Sequence, residues 1–288
     1  MPARAGTPRC HDGGVDDSTD PVPAEPSRHR GDEQQLIDRL WDFGDPAGSE
    51  ERFRQAADDD THPAHVRAVL ATQLARAIGI QGRLDEALAV LDEVASRGIP
   101  ADDSQRDAAE VRARVAIERG RILAADPDRR AEAVPELTRG VREAALAGSN
   151  FLVLDALHML ALNDVGHEEE WAAEGLDVLA GSRDPRVLRW GVALHNNLGW
   201  TMHDSGRAEA ALAQFELAVE AADRYGTVEQ QHVARWSVAR CLRTLGRTDE
   251  ALELQRELAR SRPDDPYVQA ELAELTTDAS AGEPTIEA

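Results

Sequence analysis

Histidine, carboxylate, arginine and tryptophan side chains recur at helical spacing in this chain, and their types decide what chemistry is open to them. His195 and His203 lie eight residues apart, which is two turns or about 12 Å along one helix. A single metal ion needs its ligands at roughly 2 Å, so these two cannot share one. His195 also falls at a packing position. Asp155 and His158 share one helical face, but two ligands are too few for a site. His167-Glu168-Glu169-Glu170 lacks the second histidine of a zinc-protease helix. His158 and His203-Asp204 carry groups suited to acid–base work, yet no activated Ser or Cys accompanies them. Gly79-Ile80-Gln81-Gly82 reads as a helix end, not a phosphate loop. These residues predict no metal, no cofactor and no enzyme.

The elements that must position such groups are helices. The hydrophobic share is 42% and aromatics are only 4%. Ala and Leu dominate the apolar residues and favour helix, while strand-forming residues are sparse. The net charge is -22, which disfavours nucleic acid and anionic membrane surfaces. All 32 basic residues are arginine, so each cationic contact is a planar fork that grips carboxylates. Two cysteines, Cys10 and Cys241, make neither a disulfide framework nor a zinc site. No secretory leader and no membrane span is visible, and a cytoplasmic location is expected.

Residues 1–32 and 279–288 lack periodicity and are expected to be disordered tails. Between them, over 33–278, a pattern repeats: Leu74-Ala75, Gly82-Arg83 and Glu86-Ala87-Leu88; Gly120-Arg121 and Glu132-Ala133-Val134; Leu198-Gly199, Gly206-Arg207 and Ala210-Ala211-Leu212; Val238-Ala239, Gly246-Arg247 and Glu250-Ala251-Leu252. A weaker copy holds Leu160-Ala161 and Trp171-Ala172-Ala173. In each unit a small residue allows a close helix crossing, a Gly ends the first helix, and a second Ala completes the crossing. Such an antiparallel pair cannot bury its face alone and must stack on neighbours. The steps from Ala87 through Ala133, Ala172 and Ala211 to Ala251 are 46, 39, 39 and 40 residues, which also fit a HEAT-like period.

The Gly-Arg-x-x-Glu-Ala-Leu signature resembles the tetratricopeptide repeat, whose unit is about 34 residues. Over residues 34–262 the chain resembles a family of bacterial tetratricopeptide-repeat proteins. The segments that carry the likeness include Leu40-Trp41-Asp42-Phe43, Asp155-Ala156-Leu157-His158-Met159-Leu160, Asn196-Asn197-Leu198-Gly199-Trp200 and Ala234-Arg235-Trp236. That resemblance implies an all-α right-handed superhelix of about five helix pairs with capping helices, and says little about activity. The stretch from Asn163 to Glu170 is shorter than in the family.

In such a fold the first helix of each pair lines the groove. The stripe outside the packing positions holds Thr72, Gln73 and Arg76; Arg114, Glu118 and Arg121; Asp155, His158 and Met159; Asn196, Asn197, Trp200 and His203; and Trp236, Arg240 and Arg243. Five arginines against two carboxylates predict a locally positive groove that attracts an acidic or carboxylate-bearing partner. Trp200 and Trp236, on adjacent first helices, would anchor an apolar side chain. The expected function is a scaffold that binds a protein or peptide partner. A small-molecule sensor or enzyme using His158, His203 and the groove arginines is the second reading, and self-association through exposed repeat ends the third.

Overall fold

A computed structural model of the chain describes residues 28–98 and 104–281, and their side chains over 33–98 and 104–276. The chain divides into two compact units, one ending at Arg39 and one beginning at Leu40. The first contributes α1 (Arg28–Leu40). Of the expected tails, 1–27 and 282–288 lie outside the described residues.

The unit from Leu40 is an all-α solenoid. Helix α2 (Pro46–Asp58) precedes five antiparallel pairs: α3 (Ala64–Ile80) with α4 (Leu84–Arg97), α5 (Gln105–Ala125) with α6 (Ala133–Leu146), and α7 (Asn150–Asn163) with α8 (Glu168–Ala180). After the short α9 (Pro185–Leu188) follow α10 (Trp190–Asp204) with α11 (Ala208–Tyr225), and α12 (Val228–Thr244) with α13 (Thr248–Ser261). Helix α14 (Pro266–Ala281) closes the series and packs on α13 and α12. The first helices also touch in succession, α3 to α5, α5 to α7, α7 to α10, α10 to α12 and α12 to α14, and so form one continuous inner layer. Among the described residues no helix is long and apolar enough to cross a membrane.

Local sequence accounts for these elements. Ser104, Ser149 and Thr227 cap their helices by accepting a backbone N–H, and Thr227 with Gln230 forms a full capping box. Gly82, Gly206 and Gly246 sit between the paired helices at φ of 81°, 80° and 72°, a conformation costly for any residue with a Cβ. At the crossings, Ala75, Ala87, Ala133, Ala211, Ala239 and Ala251 are fully buried. A Cβ on Gly199 would stand 2.5 Å from the Phe215 ring.

One expected role is corrected. Gly120 does not end a helix: α5 continues to Ala125, and a Cβ on Gly120 would meet Leu137 at 2.6 Å. Gly120 is therefore the small crossing residue of its repeat, matching Ala75, Ala161, Gly199 and Ala239. The paired Ala follows it by 13 residues, against 12, 11, 12 and 12 in those repeats. The dipeptide Gly120-Arg121 imitates the turn signature while sitting earlier in its repeat. With the register corrected, the residue after each crossing position is Arg76, Arg121, Leu162, Trp200 and Arg240.

Two glycine substitutions separate the crossing from the turn. Gly199→Ala forces overpacking against Phe215 and is expected to cost about 1–3 kcal/mol. Gly206→Ala meets open space and is expected to cost about 1–2 kcal/mol through its backbone alone. Urea unfolding measures both. A compensating large-to-small change, Phe215→Leu, should recover stability only in the Gly199 variant.

Candidate functional site

The inner layer holds the polar residues that the sequence singles out, in two clusters. The N-terminal cluster is buried. Thr72 donates to the Val69 carbonyl at 2.7 Å, and the Gln73 carbonyl accepts from Trp41 Nε1 at 3.0 Å. Arg114 donates to Glu110 from Nε and Nη2 at 3.0 and 2.9 Å. Arg121 bridges α5 and α7: it donates to Glu118 at 3.1 Å, to Asp155 at 2.8 Å and to the Met159 sulfur at 3.0 Å. Arg76 lies 3.8 Å from Glu118, with its guanidinium over the Trp41 and Phe43 rings at 5.6 and 5.5 Å. Glu118 and Asp155 are 2% and 7% exposed. The first helices lie side by side, so the stripe expected to face water becomes the seam between repeats.

Charge in this seam is balanced. Burial raises the Asp155 carboxyl, but the Arg121 and Arg76 guanidinium groups outweigh it and hold the group below its ordinary value. Arg121, buried between two carboxylates, stays firmly protonated. Burial lowers the His158 imidazole; Asp155 pulls it up, Arg121 pushes it down, and the net result lies below the ordinary histidine value.

The second cluster runs along α10, α12 and α14. Arg240 Nε lies 3.1 Å from Glu271, and Arg243 Nε donates to the same carboxylate at 2.7 Å. Asn196 accepts from Ser237 at 2.9 Å. His203 Nε2 meets the Thr244 hydroxyl at 2.9 Å. His195 Nδ1 donates to Gln214 Oε1 at 2.8 Å, a packing role. The Trp200 and Trp236 rings stand 5.9 Å apart, and Trp236 reaches Tyr267 at 6.1 Å. Trp200 also sits edge-on to Phe215 at 5.1 Å, so one face of it belongs to the core.

The expected positive groove is therefore largely neutralised. Glu110 and Glu271, neither singled out in the sequence, bring the balance to five arginines against four carboxylates. Glu110 was legible as an i,i+4 partner of Arg114. Glu271 comes from the capping helix and carries no local signal. His232, also passed over, is buried and donates from Nε2 to Asp265 at 2.9 Å.

One cavity, of about 340 Å³, opens between α7, α8 and α10. Ala161, Leu162, Ala172, Leu194, Leu198 and Trp200 form its apolar wall. His158, Asn197, Thr201, Glu168 and Asp204 supply its polar groups. Asn197 Nδ2 lies 3.2 Å from His158 Nδ1, so the amide donates and the neutral imidazole keeps its proton on Nε2. The cavity lies where the arginine column is broken: Leu162 and Trp200 take the positions that Arg76, Arg121 and Arg240 hold elsewhere. Glu168, the first residue of α8, lies at its edge. Of the expected site residues, His158, Asn197 and Trp200 meet here; the remainder serve the seam or the second cluster.

The sequence matches the tetratricopeptide-repeat family over residues 35–100 and 204–266. The repeat register seen in the structure extends the same pattern through the intervening helices. The chain carries tetratricopeptide repeats over both matched stretches. No curated protein matches it. Its fold is similar to that of the apo form of the quorum sensor NprR from B. thuringiensis, at 12% identity and a TM-score of 0.59, covering 88% of this chain and 69% of that one. It is also similar to a thermophilic TPR protein of Thermus thermophilus, at 19% identity and a TM-score of 0.42, covering 72% of this chain and 97% of that one. Among the described residues of this tetratricopeptide-repeat chain, no three His, Cys, Asp or Glu side chains are grouped to hold a metal. Cys241 is a buried free thiol that donates to the Ala208 carbonyl.

The seam makes two measurable claims. Arg121→Met strands Glu118 and Asp155 beside one weaker partner and is expected to cost about 3–5 kcal/mol in urea unfolding. Adding Asp155→Asn should recover part of that loss. For His158, the unfolded chain binds the proton more readily than the folded one. Stability is therefore lost as pH falls through the ordinary histidine range, between roughly pH 7 and pH 5.5. The melting temperature of His158→Gln should fall less over that range than that of wild type. Equal slopes would contradict the burial of His158.

Proposed function

We propose that this protein is a non-enzymatic cytoplasmic scaffold that binds a peptide or protein partner along its inner layer, with the cavity at His158, Asn197 and Trp200 as the anchor point. The observation that carries this reading is continuity. Trp200 is a wall of the cavity and also the first ring of the Trp200–Trp236–Tyr267 series. Together they offer a pocket followed by an aromatic track across three successive first helices. Tyr267 is 70% exposed, and Trp236 Nε1 has no acceptor among the described residues. The N–H is itself buried, so what the track offers a partner is its rings, and aromatic rings are favoured anchors in interfaces. A quorum sensor with the same fold supports its use in recognition.

The acidic partner predicted from the arginine stripe loses its support, because Arg76, Arg114, Arg121, Arg240 and Arg243 all meet carboxylates of the protein itself. A second reading draws on the cavity alone. A volume of about 340 Å³ falls at the lower end of small-molecule sites. The track beyond Trp200 has no role in that reading, which ranks it second.

Affinity capture from a lysate of the source organism tests the scaffold reading. Thr201→Arg with Tyr267→Ala blocks the cavity and removes an exposed ring without touching the buried seam. A partner retained by wild type and lost by this variant, at unchanged helicity, supports the inner layer as the binding face. Retention of every partner by the variant would contradict it.

A further inference from the structure

We propose that the cavity between α7, α8 and α10 takes a basic side chain, arginine or lysine, presented by the partner peptide. The inference rests on the peptide-binding reading and reverses the charge that the sequence led us to expect.

Three observations converge. First, the charged groups that line the cavity are Glu168 and Asp204, and no arginine lines it. Glu168 spends Oε2 on the Gly166 N–H at 2.9 Å, and Asp204 spends Oδ1 on His203 Nδ1 at 3.3 Å. Each retains a carboxylate oxygen that meets no donor among the described residues. Second, the nearby cations are already committed. Arg121 is held by Glu118 and Asp155, and Arg207 by Glu169. His158, the remaining titratable lining group, is neutral and so does not repel a cation. Third, the wall is shaped for a long amphipathic side chain. Ala161, Leu162 and Leu198 accept its aliphatic stem, the Trp200 ring offers a π face to its head, and His158 Nε2–H can donate to a peptide carbonyl. A carboxylate in the same place would face Glu168 and Asp204 with no guanidinium to offset them. The net charge of -22 acts in the same direction, steering a basic partner inward.

The test pans the full chain against a phage-displayed random peptide library and measures each enriched peptide by fluorescence anisotropy. The expected result is a recurring Arg or Lys. Its replacement by citrulline or norleucine should weaken binding by about tenfold or more. Glu168→Gln with Asp204→Asn should weaken the parent peptide comparably and leave the neutral peptide unchanged. Both carboxylates are at least partly exposed, and the melting temperature of the double variant confirms its fold. Enriched peptides that lack a basic residue, or that bind the double variant equally well, overturn the inference and leave the peptide-binding scaffold intact. No enrichment at all overturns the peptide reading, and the inference falls with it.

Discussion

The close crossing of the two helices in each repeat is the constraint on which everything else depends. A side chain larger than a methyl group at Ala75, Gly120, Ala161, Gly199 or Ala239 would push the paired helix away; at Gly199 even a Cβ would clash with Phe215. The crossing fixes which residue comes next on the inner layer. It therefore fixes the column Arg76, Arg121, Leu162, Trp200 and Arg240. Where that residue is arginine, it reaches a buried carboxylate and ties neighbouring repeats together. Where it is Leu162 or Trp200, no such tie forms, and the space stays open as the cavity.

This division explains how polar residues can be abundant in the inner layer without making an open polar groove. Burying Glu118 and Asp155 is costly unless a cation and several donors meet them. Arg121 meets both at once across α5 and α7. The seam between the early repeats therefore has its hydrogen bonds directed inward. The proposed recognition face lies on the later repeats, which hold the Trp200–Trp236–Tyr267 rings and the carboxylates of Glu168 and Asp204.

Much of the fold was legible in the sequence, because crossing residues and turn glycines are local signals. Ala87, Ala211 and Ala251 announce their repeats, and so do Gly82, Gly206 and Gly246. The exception is instructive. Gly120 followed by Arg121 copies the turn dipeptide, and only the length of α5 reveals that Gly120 is a crossing residue. The candidate site was less legible. Helical spacing places Arg76, Arg114 and Arg121 on one stripe, but it does not say whether the stripe meets water or the next first helix. Glu271 lies 28 residues beyond Arg243 on a capping helix, where no periodicity links the two. The cavity comes from an absence, a missing arginine at 162, and absences become visible only in a correctly registered column.

Restoring the column tests this account most directly. Leu162→Arg places in the third repeat the residue that the first, second and fifth carry, at a position already 52% exposed. The measurement is binding of a library-selected peptide to this variant and to wild type, with circular dichroism as the control for folding. The account predicts a helical, cooperatively melting variant that no longer binds the peptide, because the new guanidinium occupies the cavity and opposes a basic side chain. Undiminished binding by the folded variant would contradict it, since recognition would then lie elsewhere on the protein.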